Sequence, residues 1–117
     1  MPDYSDLVGM PYEAFSNGCY GLVREVLRRN GVNIPDVTKD HSHDLLLCSE
    51  TVSTMPVERI EKPELLSVLE MHIFGEFHIG IVVGKGVFLH AARNRGVVLS
   101  RIRDYRIEAV YRVNESL

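Results

Sequence analysis

The chain has 117 residues, the length of one domain over 1–117 that buries roughly two-thirds of its unfolded surface without a metal or disulfide staple. Apolar residues make up 45% and charged residues 25%, the balance of a soluble globular domain. The net charge of −3 leaves no basic excess for neutralising phosphates, which argues against a nucleic-acid partner, and no apolar run reaches the length of a membrane span.

The first residues, Met1-Pro2-Asp3-Tyr4-Ser5-Asp6, are acidic and polar. They lack the basic start and apolar core of a signal peptide, so the expectation is a protein made in a cytoplasm without an export signal. Tyr4, Leu7 and Val8 suit a short helical turn that Gly9 ends. Met10-Pro11-Tyr12 commits the chain to extended backbone, because a residue before proline is biased away from the helical region. Ser16-Asn17-Gly18 reads as a turn with a capping side chain available.

A helix is expected from Cys19 to Asn30. Leu22, Val23, Val26 and Leu27 recur at helical spacing, Arg24, Glu25, Arg28 and Arg29 fill the opposite face, and Asn30-Gly31 is a stop signal. Cys19 would then sit in the first turn, beside unpaired N–H groups and the positive end of the helix dipole. That setting lowers a thiol pKa and makes a nucleophile. The plainer reading of Cys19 alone is a small buried hydrophobe. Cys19 and Cys48 could pair, but their spacing is neither a disulfide framework nor a zinc site.

Residues 31–63 carry little signal. His41 and His43 lie in a polar loop with Asp36, Asp40 and Asp44; an H-x-H pair is a poor ligand set by itself, and no metal or cofactor is expected. Thr51 to Met55 is ambiguous and Pro56 breaks it. From Glu64 onward the period changes to strand. Leu65 to Ile73 is expected as a strand. His78-Ile79-Gly80-Ile81-Val82-Val83 and Val87-Phe88-Leu89-His90-Ala91, around Gly84-Lys85-Gly86, form a hairpin. Gly96 to Ser100 and Ile107 to Val113 follow as strands, with Arg101 to Arg106 a charged connection.

A hairpin centred on Lys85 places Gly80 opposite His90 and Ala92 opposite His78. The two histidines then share a sheet face as diagonal neighbours. A two-residue loop would put them on opposite faces unless a bulge intervened. On one face, one imidazole can orient the other, which is the second link of a nucleophile–base–orienter chain.

These residues, in this order, resemble the NlpC-type papain-like cysteine peptidases that cut cell-wall peptides. The matching motifs are Pro11-Tyr12, Cys19-Tyr20-Gly21-Leu22-Val23, His78-Ile79-Gly80-Ile81 and Phe88-Leu89-His90-Ala91. The resemblance implies an α+β fold with an N-terminal catalytic helix packed on a small antiparallel sheet. It implies Cys19 as nucleophile, His78 as base, His90 as the residue orienting His78, and Tyr12 and Tyr20 on the substrate side. The implied substrate is the stem peptide of peptidoglycan. Where the commonest family form has Asp-Cys-Ser-Gly, this chain has Gly18-Cys19-Tyr20-Gly21. The tyrosine resembles the branch found in phage tails and gene-transfer particles, which implies a tail-borne endopeptidase with tail-tip proteins as partners. A tail-tip subunit that keeps the fold without the activity is the alternative. Thiol acyl transfer is a third, though related acyltransferases carry the histidine before the cysteine.

Overall fold

The computed structural model describes residues 2–14, 19–33, 57–73, 75–92 and 94–113. The proposed cap at Ser16-Asn17-Gly18, and the loop residues His41, His43 and Cys48, lie outside them. The described residues form an α+β arrangement of one α-helix and one six-stranded antiparallel sheet.

Helix α1 spans Cys19–Arg29. Its apolar stripe is the one the sequence spacing predicts: Leu22, Val23, Val26 and Leu27 are all fully buried. It ends where Gly31 turns to a φ of +86°, a conformation that costs glycine little. Val32 N–H then donates to the Leu27 carbonyl and Gly31 N–H to that of Arg28, satisfying two carbonyls the last turn would leave bare. Asn30 reinforces the stop. Its Nδ2 donates to the Val26 carbonyl at 2.7 Å, and its Oδ1 accepts the Asp3 N–H at 3.0 Å, which anchors the N-terminal segment to the helix end.

The strands are β1 (Val57–Ile60), β2 (Val68–Ile73), β3 (Glu76–Gly84), β4 (Val87–Ala92), β5 (Gly96–Arg101) and β6 (Ile107–Val113). They are ordered β1-β6-β2-β3-β4-β5 across the sheet. Strand β1 falls in the stretch the sequence left unassigned. The charged connection holds a single 3₁₀ turn, Ile102–Asp104, and the N-terminal helical turn is a 3₁₀ turn at Ser5–Leu7.

Alternation along the strands gives the sheet two apolar faces. Val68, Ile79, Ile81, Val83, Leu89, Ala91 and Val97 cluster with the buried side of α1. Leu69, Met71, Val82, Phe88 and Val110 form the second cluster, with Ile102 and Tyr105 packed against it.

At Val97 the β5 edge of the sheet is covered by the N-terminal segment. Gly9 N–H donates to the Val97 carbonyl and Val97 N–H to the Met10 carbonyl, both at 2.9 Å. Gly96 makes this approach possible: its φ is +76°, and a Cβ there would collide with the Met10 carbonyl oxygen.

Candidate active site

The β3–β4 hairpin positions both candidate histidines. Ile81 pairs with Leu89 and Val82 with Phe88, the register centred on Lys85. The tip is tighter than the three-residue loop read from the sequence. Gly84 pairs directly with Val87, so the turn is Lys85-Gly86, and the register slips between Val82 and Gly84. The extra residue of that bulge compensates for the shorter turn and keeps His78 and His90 on one face. Their rings meet edge to face, with centroids 5.4 Å apart and an interplanar angle of 79°.

That face is the second cluster, not the one covered by α1. His78 pairs with Met71 across to β2, and Gly80 with Leu69. The space beside Gly80 belongs to the Phe88 ring: a Cβ there would lie 2.6 Å from Phe88 Cδ2 and 3.0 Å from the Leu89 carbonyl oxygen. Glycine therefore lets Phe88 lie flat beneath His90, stacked at 4.8 Å and 27°. Tyr105 packs against both rings, edge-on to His90 at 5.6 Å and to Phe88 at 5.3 Å.

His90 is 3% exposed. Burial pushes its pKa down from 6.5 to about 4, and the neighbouring charges of His78 and Arg95 push the same way. It is thus a neutral imidazole near pH 7. Its Nε2 lies 3.0 Å from Ser100 Oγ, while its buried Nδ1 has no hydrogen-bond partner among the described residues. Sequence reasoning missed Ser100, Phe88 and Tyr105. Phe88 could have been found from its two-residue spacing to His90. Ser100 follows once β5 is set in register, because it pairs with Phe88.

Cys19 is the first residue of α1, as the sequence predicts, but its sulfur is not a free thiol: it is disulfide-bonded. The sequence holds one other cysteine, Cys48, outside the described residues. Cys19 is 3% exposed and belongs to the cluster on the α1 face, so the structure brings the two histidines together on one face and places the cysteine in the cluster of the other. Tyr12 opens the 3₁₀ turn Tyr12–Ala14 and packs half-buried against that cluster. Tyr20, expected beside the substrate, is 1% exposed and packs in the core, so its ring has almost no surface to offer a ligand. It follows the cysteine on a helix whose buried stripe it joins.

Among the described residues no cluster of three or more His, Cys, Asp or Glu side chains is placed to hold a metal. No helix among them is long and apolar enough to cross a membrane. The family model of the NlpC/P60 family matches residues 11–114, a span that includes Tyr12, Cys19, His78 and His90. No curated protein matches the chain.

Proposed function

Because the chain belongs to the NlpC/P60 family, which comprises cell-wall peptidases, we propose that it is a peptidoglycan endopeptidase working through Cys19, His78 and His90. The observation that carries the reading is the ring contact of His78 with a buried, neutral His90, which suits one imidazole to hold the other in place. In the reduced enzyme His78 takes the Cys19 proton and the thiolate attacks a stem-peptide carbonyl. The Cys19 N–H, in the first turn of α1, helps hold the oxyanion. Collapse expels the amine, which leaves with the proton from His78. Water, deprotonated by His78, then hydrolyses the thioester and restores the thiol. Two conditions follow: the disulfide must be reduced, and the freed sulfur must come within hydrogen-bonding reach of His78.

The Cys19-Tyr20-Gly21 sequence supports a tail-borne enzyme, carried to the wall by a phage or phage-like particle together with tail-tip proteins. The test is digestion of purified peptidoglycan, with and without a thiol reductant, by wild type and Cys19→Ala. Peptides released by the reduced wild type alone are expected. Equal release by the two proteins after reduction ends the cysteine-peptidase reading.

A second reading is an inactive tail-tip subunit that keeps the fold, favoured by the 3% exposure of Cys19 and its disulfide. The two separate on alkylation. After reduction, an active site lets a small electrophile reach Cys19 quickly, whereas slow alkylation alongside absent digestion supports the structural role.

A further inference from the structure

The residue behind His90 has a role that the nucleophile, base and orienter do not cover. An imidazole can orient His78 only if it offers a bare nitrogen to the N–H of that ring. A neutral imidazole has one protonated and one bare nitrogen, and what the protonated one touches decides which is which. In His90 the nitrogens differ sharply: Nε2 lies 3.0 Å from Ser100 Oγ, and Nδ1 is buried without a hydrogen bond among the described residues. An N–H at the orphaned position would be a buried, unsatisfied donor. With the proton on Nε2, the hydroxyl oxygen of Ser100 accepts it and Nδ1 keeps its lone pair.

We propose that Ser100 is a positioning residue that fixes the tautomer of His90, its Oγ accepting the Nε2–H so that Nδ1 remains an acceptor for His78. The proposal rests on the peptidase reading for its catalytic consequence, but the tautomer stands independently of activity. The architecture suits the task. Ser100 pairs with Phe88 across the β4–β5 ladder, and His90 with Val98, so the hydroxyl and the ring are diagonal neighbours on one face. Phe88 stacked on the ring and Tyr105 against it fix the imidazole plane that the hydroxyl addresses. Burial and the nearby charges of His78 and Arg95 hold His90 neutral, the only state in which a tautomer choice exists.

The test uses the full-length reduced protein, with Ser100→Ala and Ser100→Thr beside wild type. Nitrogen-15 NMR of the His90 ring should show the Nε2–H tautomer in wild type and Ser100→Thr, and a mixture or the Nδ1–H form in Ser100→Ala. In peptide cleavage, Ser100→Ala should lose about tenfold in kcat with KM little changed, the scale of one hydrogen bond, and threonine should restore it. A wild-type ring already in the Nδ1–H form, or an alanine variant with unchanged ring signals, overturns the proposal. If reduced wild type cuts nothing while the tautomer still follows residue 100, the peptidase reading fails and the assignment of Ser100 to His90 stands. Full activity in Ser100→Ala reverses the catalytic consequence and leaves the peptidase reading intact.

Discussion

His90 carries a cost that the surrounding ring contacts must offset. Its folded pKa of about 4 lies below the ordinary 6.5, so between these values the unfolded chain binds the proton more readily. Above pH 6.5 the group leaves stability untouched; as pH falls toward 4, stability is lost, to a limit of roughly 3 kcal/mol. Urea midpoints compared between about pH 7.5 and pH 5 should therefore fall on the acid side, by the equivalent of about 2 kcal/mol from this group. His90→Gln should flatten that part of the profile. A second expectation concerns Cys19. On the peptidase reading the reduced protein should show a thiolate signal in the ultraviolet near neutral pH that disappears in His78→Ala, since a paired imidazolium is what stabilises it. Persistence of the signal in His78→Ala would assign it to the helix terminus alone. At this scale the sequence was half legible. Two histidines around a glycine turn allowed a meeting, but spacing left both faces open, and the bulge that offsets the two-residue turn decided it. The disulfide at Cys19 was legible only as an option, because two cysteines can pair but distance in space, which sequence spacing does not give, decides whether they do.

Strand alternation also explains why small changes in the β3–β4 hairpin should have large effects. The Lys85-Gly86 turn alone would send one histidine to the wrong face, and the bulge between Val82 and Gly84 reverses this. Deleting Val83 should regularise the ladder and separate the rings, abolishing their NMR cross-talk even where the domain still folds. Gly80→Ala is gentler: its methyl would meet Phe88 and the Leu89 carbonyl, so the ring must tilt off His90 at about 1–3 kcal/mol of stability. Thermal melts of the variant measure that cost. Among the elements, α1 and the hairpin were legible because each has a clear hydrophobic period and a glycine stop. Strand β1 was not. It is four residues long, has charged Glu58 and Arg59 at its centre, and among the described residues pairs with β6 alone, so neither length nor burial pattern marks it.

Across the whole molecule, the N-terminal segment is held by two kinds of contact of unequal worth. Arg29 bonds Asp6. Glu25 accepts from Arg28 at 2.7 Å and from Arg29 at 2.8 Å, and these two hydrogen bonds hold its carboxyl down at about 2. Their partners are largely exposed and screened by solvent, so Asp6→Asn should cost little stability. Gly96→Ala should cost more, on the order of 2 kcal/mol or beyond, because it combines a positive φ with a collision against the Met10 carbonyl. Chemical denaturation of the two variants side by side gives the ranking; equal losses would mean the segment is held by charge and not by backbone fit. The strip Gly9-Met10 also does something for neighbouring molecules. By occupying the donor and acceptor of Val97, it denies that rim of the sheet to any second chain seeking to add a strand. A protein trimmed to begin after Met10 would expose a sticky border, and light scattering should register its growth into filaments or clumps at concentrations where the intact chain stays dispersed.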